Sequence, residues 1–207
     1  MRVAGRWAGR TRAAAVAILA ALLLATLVAC SAGFDPTGPC TSDGSAPGSY
    51  PELEAAVPKT YQGNPPQDLD SGRACTPEGL GSYASHGVKE LRFAGATWKT
   101  GDQSGVSLAV LTDQDGPPLD AAWVAEFYET TARAGKNVQS VETHPFQIGA
   151  IEARKIDVLN GDSYQSVVVW PRDGRIAVAL IADFVTEIQT KDAHEKVVQT
   201  AVDAFGG

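Results

Sequence analysis

The sequence predicts an α+β protein: an antiparallel sheet of about six strands sandwiched by helices, with an N-terminal helical insertion before it. Three observations carry this. Four strand-like runs follow one another between residues 137 and 184, and two of their connections hold Asn160-Gly161 and Asp173-Gly174, dipeptides favoured in type I′ hairpin turns. Two segments, 119–134 and 192–205, place their apolar residues at helical spacing. In the run 175–184, Ile176, Val178 and Leu180 point one way while Ala177, Ala179 and Ile181 point the other. A strand apolar on both faces needs a layer on each side of its sheet.

In chain order, Pro51 suits the first turn of a short helix that Pro58 stops. Residues 61–74 are rich in Pro, Gly and Asp and read as a loop. Thr76-Pro77-Glu78 reads as an N-cap, an N1 proline and an acidic first turn, opening a helix to about Ser85 with Gly87 as its stop and Leu80 and Tyr83 facing the core. Residues 88–98 and 104–112 alternate as two strands of a hairpin turned at Lys99-Thr100-Gly101-Asp102. The helix at 119–134 carries a stripe of Trp123, Val124, Phe127, Tyr128 and Thr131 and ends at Gly135. Strands follow at 137–145, 148–160, 163–170 and 175–184, the last three as a meander. The final helix starts near Asp192, with Glu195 three residues on as in a capping box. It then lines up Val197, Val198, Ala201, Val202 and Phe205.

This order of two strands, a helix, four strands and a terminal helix, over residues 88–205, resembles the PsbP-like sandwich found in small mycobacterial lipoproteins. The insertion before it, with its Leu69-Asp70-Ser71-Gly72-Arg73-Ala74-Cys75-Thr76 run, looks like that of actinobacterial lipoproteins. The resemblance implies a non-catalytic assembly or binding factor and brings no site residue with it.

At the other end, Arg2, Arg6, Arg10 and Arg12 precede an uncharged apolar run at 13–29 that closes on Leu27-Val28-Ala29-Cys30. Together these resemble a bacterial lipoprotein signal peptide, residues 1–29, ending in a lipobox. That resemblance implies cleavage before Cys30, thioether-linked acyl chains on it, and a mature protein held on the extracytoplasmic face of the cell membrane. An uncleaved anchor is the alternative at the short limit of a bilayer span. An ordinary secretory signal fits the basic and apolar regions equally well, and lipid on Cys30 separates the readings. If Cys30 is acylated, Cys40 and Cys75 remain as an even pair in an oxidising compartment and are expected to form a disulfide.

Without its first 29 residues, which hold four Arg and no acid, the chain has 178 residues, one domain's worth, with 13 basic against 24 acidic side chains and a net charge of −11. Such a surface disfavours nucleic acid and adhesion to anionic lipid, so the acyl chains must supply the membrane attachment. Residues 30–49, built from Gly, Pro, Ser, Thr and Asp, read as a flexible tether, and 50–207 as a single α+β domain.

Catalytic signals are few. His86, His144 and His194 lack the i+2 or i+4 partner of a local metal pair, so no metal ligands and no cofactor are expected. His86 reads as a helix-end cation beside Gly87, His144 as a strand end, and His194, in a first helical turn, as neutral and solvated. Asp113-Gln114-Asp115-Gly116 fails the calcium-loop pattern. No Gly-x-Ser-x-Gly or Ser-x-x-Lys marks a serine nucleophile, although a triad assembled from distant elements leaves no local signature. Among the aromatics, Tyr61, Trp98, Trp123 and Tyr128 stand out, with Trp123 and Tyr128 expected in the core and Trp98 exposed at a strand end. Trp98, Arg73 and Arg92 are the ligand-binding candidates, the arginines for a carboxylate or phosphate, with surface ion pairing as their ordinary role. The leading expectation is a non-catalytic envelope module that binds a protein or small ligand. A carrier of a lipid or apolar molecule, and an envelope hydrolase, are the alternatives.

Overall fold

Eight strands form one antiparallel sheet, two more than the sequence suggests. The computed structural model describes residues 34–114 and 118–206, so Cys30, the lipobox and residues 115–117 of the acidic loop lie outside the described residues. The strands are β1 (Gly44–Ala46), β2 (Asp68–Ala74), β3 (Leu91–Lys99), β4 (Gly105–Asp113), β5 (Val138–Ile148), β6 (Ile151–Asn160), β7 (Ser163–Arg172) and β8 (Arg175–Phe184). Their spatial order is β1-β2-β3-β4-β8-β7-β6-β5, so β8 joins two halves built from sequential neighbours. The helices are α1 (Pro51–Glu54), α2 (Pro77–Leu80), α3 (Ala121–Arg133), α4 (Val185–Ile188) and α5 (Lys191–Asp203). Among the described residues no helix is long and apolar enough to cross a membrane.

The turns explain the register. Asp173 and Gly174 both hold positive φ, 50° and 75°, as the two-residue turn between β7 and β8 requires. Between β6 and β7 the expected Asn160-Gly161 turn is shifted by one residue. Asn160 stays in the strand, and Gly161, at φ 62°, is the first residue of a Gly161-Asp162 loop, the glycine position of a type II′ turn. Strand β5 runs through His144 and Pro145 to Ile148, past the expected end. It can do so because β5 is a sheet edge, where a missing N–H leaves no ladder bond unmade.

The two-sided strand inferred for residues 175–184 holds. One face of the sheet sets Ala94, Ala96 and Trp98 of β3, Leu108 and Val110 of β4, Trp170 of β7 and Ala177, Ala179 and Ile181 of β8 against Val198, Ala201, Val202 and Phe205 of α5. Tyr50, Leu53, Val57 and Tyr61 extend the same layer over the β2–β3 side. The opposite face is covered by α3, with Val124, Ala125 and Tyr128 buried, and by the 3-10 turn Gly81–His86 with Tyr83. The helix expected over residues 76–85 is therefore two short pieces, α2 and that turn, but Thr76 does cap it, accepting from Gly79 N.

Residues 34–49 are the main departure. Read as part of a tether, they are fixed to the domain. Asp43 Oδ1 accepts from Cys75 N at 2.6 Å and Thr76 N at 2.8 Å, and its Oδ2 accepts from Thr76 Oγ1. A Cβ on Gly79 would lie 2.3 Å from that Oδ2, so only glycine leaves room for the carboxylate. Strand β1 pairs with β2 through Gly44↔Arg73, Ser45↔Gly72 and Ala46↔Ser71. Cys40 and Cys75 form the expected disulfide, their Cα atoms 5.4 Å apart. Arg73, a ligand-binding candidate in the sequence, is 4% exposed and donates to the carbonyls of Asp35, Pro36, Gly38 and Pro39 at 2.9–3.4 Å. A guanidinium with five donors suits this ring of carbonyls, which no lysine could span.

Replacing Cys40 and Cys75 together by Ala is expected to lower the unfolding free energy by about 3 kcal/mol in urea titration. In Arg73→Met, amides 34–46 should lose hydrogen-exchange protection while β6–β8 keep theirs. Protection unchanged at 34–46 would show that the guanidinium does not hold this segment.

Candidate functional site

Beneath the first turns of α5 the sheet turns from apolar to charged. The parity of the strands brings Lys155 and Asp157 of β6, Ser166 of β7 and Asp183 of β8 to the α5 side, since Asp157 pairs with Ser166 and Lys155 with Val168. Helix α5 starts earlier than expected: Thr190 is its N-cap, accepting from Ala193 N at 3.2 Å, and Glu195 is not part of a capping box. Glu195 instead accepts from Lys155 Nζ at 2.5 and 2.7 Å. His194, expected neutral and solvated, is 2% exposed and points down into this polar patch.

His194 Nδ1 lies 2.7 Å from Asp183 Oδ2, and its Nε2 lies 2.8 Å from Ser166 Oγ. Read quickly, this is the Asp-His-Ser order of a serine hydrolase. The protons run the other way. Ser166 has a single proton and donates it to Asp157 Oδ1 at 2.5 Å, a charge-assisted bond. Its lone pairs then face His194 Nε2, and the other ring nitrogen faces the Asp183 carboxylate. A hydroxyl proton already given to Asp157 is not aimed at His194, as a general base would need. Ser166 is also 0% exposed, so no substrate carbonyl reaches it. What the arrangement does is link four polar side chains in a buried layer.

Asp157 is the hub of the outer half. Beside Ser166 it faces Lys155 Nζ at 3.0 Å, His144 Nε2 at 3.6 Å and Lys191 Nζ at 3.9 Å. Burial pushes its pKa up, but the Ser166 and Lys155 donations and the charges of Lys155 and His144 outweigh that and hold it below the ordinary 3.8. His144 thus serves this carboxylate from the middle of β5, not from a strand end.

Next to Asp183, on the far side from Ser166, a surface cleft of about 380 Å³ lies between the β3–β4 turn and α4. Its rim is tied by Glu187, which accepts from Gln103 N at 3.0 Å and from the Ser104 hydroxyl. The Ser104 donation is the main cause that lowers the Glu187 pKa. A second cleft, about 360 Å³, separates α3 from β5 and β6, with Glu129 bonded there to Arg133 at 2.7 Å and Thr143 at 2.9 Å.

The other sequence candidates are engaged elsewhere. Trp98 is 3% exposed, not at the surface, and its Nε1 donates to the Asn64 carbonyl at 3.0 Å. Arg92 makes internal contacts: Nε donates to Glu90 at 2.7 Å and its guanidinium lies 4.7 Å from the centre of the Tyr50 ring. His86 stacks on Trp123 at 4.6 Å and reaches Glu126 at 3.0 Å, while Gly87 caps the turn at φ 85°. Tyr128 is buried, Trp123 half-buried. Among the described residues no three His, Cys, Asp or Glu side chains gather as a metal site. Ser166, Asp157 and Asp183 escaped the sequence reading, which placed His194 in solvent. Their signal was a polar residue at inward parity within an apolar strand, as Ser166 is relative to Val168 and Trp170.

No family model matches the chain, and no curated protein matches it.

Two outcomes check this assignment. Ser166→Ala is expected to cost about 1–3 kcal/mol of stability, because it leaves His194 Nε2 without a partner and takes one donor from Asp157. A fluorophosphonate should leave Ser166 unmodified in the folded protein, and its labelling would reverse the donor order. Asp157 has a lower pKa folded than unfolded, so its contribution to stability is complete above about pH 3.8 and is lost as the pH falls through the depressed value. Urea midpoints at pH 6 and pH 3 should therefore differ more in the wild type than in Asp157→Asn.

Proposed function

We propose that the protein is a lipid-anchored module on the extracytoplasmic face of a bacterial cell membrane, attached through acylated Cys30, and that it binds an envelope protein or a small ligand without catalysing a reaction. What supports the non-catalytic part is that Ser166 is fully buried and donates its hydroxyl proton to Asp157. The carrier alternative needs an enclosed apolar cavity of several hundred Å³. The two clefts described above open to solvent and have charged walls, which supports a binding module instead.

The order from β3 to α5, two strands, a helix, four strands, the short α4 and the closing helix α5, supports a PsbP-like arrangement for that part of the chain. The Cys40–Cys75 disulfide supports an oxidising compartment and hence export. Each buried methylene of the acyl chains contributes about 0.8 kcal/mol to membrane attachment, which a domain of this acidity cannot gain from anionic lipid.

Intact-mass analysis of the full chain recovered from a membrane fraction is expected to show cleavage before Cys30 and added acyl mass. Cys30→Ser should lose that mass and move to the soluble fraction. A wild-type protein without acyl mass would overturn the anchor.

A further inference from the structure

The cleft beside α4 holds an acid whose charge the buried network does not use up. Asp183 is 3% exposed, and Oδ2 is taken by His194. Its second oxygen, Oδ1, has no hydrogen-bond partner among the described residues, and the residue lines the cleft. An oxygen without a protein partner at the wall of a cleft is an acceptor that a ligand can reach. Tyr61 lines the same cleft at 2% exposure, and its hydroxyl has no partner either. Burial, with the Asp183 charge as a second cause, raises the Tyr61 pKa, so that hydroxyl stays protonated and lies within the field of the carboxylate.

The walls select the class of ligand. Asp102 and Glu187 add negative charge at the rim, and neither Lys nor Arg lines the cleft. An anion is therefore repelled. A bare metal ion lacks the converging ligands it needs, since no such group forms among the described residues. Ile188 and Val197 provide apolar contact beside the acids. Acceptor at the base, free hydroxyl next to it, acidic rim and aliphatic wall together match an ammonium group on a short alkyl chain.

We propose that this cleft is a binding site for a small aliphatic amine, its ammonium donating to Asp183 Oδ1 and its alkyl body lying on Ile188 and Val197. The proposal rests on reading the domain as a binding module and gives that reading a ligand class. It does not depend on the lipid at Cys30. The ammonium also shares Asp183 with the imidazole of His194, so ligand and buried network compete for one carboxylate. Binding is of modest strength in consequence, because the carboxylate is already half neutralised.

The test uses the purified full chain and three probes of similar size: n-butylammonium, 1-butanol and butyrate. Calorimetric titration and thermal unfolding are expected to show saturable binding and a raised Tm with butylammonium alone. Asp183→Asn should weaken the amine by about tenfold or more. Should Asp183→Asn fail to fold, Val197→Trp fills the cleft from the half-buried flank of α5 and should abolish binding with the fold intact. Tyr61→Phe removes a hydroxyl that bonds to nothing in the free protein. It should leave Tm unchanged or higher, yet weaken the amine. No saturable binding of butylammonium, equal binding of the three probes, or binding indifferent to Val197→Trp would each overturn the site. An acylated Cys30 alongside any of these would leave the membrane-anchored reading standing.

Discussion

Ile176, Val178 and Leu180 on one face of β8, and Ala177, Ala179 and Ile181 on the other, leave this strand no side to turn toward water, so each face has to be covered. Because β8 sits between β4 and β7, both halves of the sheet inherit that demand. Helix α3 with the 3-10 turn meets it on one side, and α5 with the Tyr50–Tyr61 stretch on the other. The alanines on the α5 side have a purpose in this. Small residues at 177 and 179 let Val198, Ala201 and Val202 approach the sheet closely, and all of them are 0% exposed.

Covering the sheet also fixes the fate of its polar residues. Helix α5 spans both the apolar end, around Trp170 and Phe205, and the charged end, around Asp157 and Asp183. Its N-terminal turns lie over the charged end, and there His194 has to satisfy both an aspartate and a serine or leave them stranded. The same closure brings Asp183 to the floor of the cleft, where one of its oxygens remains unmet. Structural network and candidate binding site thus share one residue.

The N-terminal stretch shows how far composition alone can mislead. Gly, Pro and Ser between residues 35 and 49 read as tether, and free of context such a segment would be one. It is held because Arg73 on β2 presents a fork of donors to its carbonyls, Asp43 closes the turn into α2, and the disulfide joins the two. The short strands β1 and β2 were missed for the same reason. Asp68-Leu69-Asp70-Ser71-Gly72-Arg73-Ala74 has little intrinsic preference for a strand, and pairing with β3 supplies what its sequence lacks.

Periodicity, turn chemistry and the two-faced strand at 175–184 were local properties, and they determined the α+β class, the meander, the helix at 121–133, the helix at 191–203 and the layers on both sides. The even pair Cys40 and Cys75 was legible too, as a count. Everything that depended on which residues meet across the sheet was decided by tertiary structure. Trp98 is covered because Asn64 and Tyr61 fold over it, Arg73 and Arg92 are used internally, and Ser166, His194 and Asp183, from three elements, converge under one helix turn. The physical reason is that strand alternation says which face a side chain occupies, whereas burial, partners and proton order depend on what another segment, far away in the chain, places opposite it.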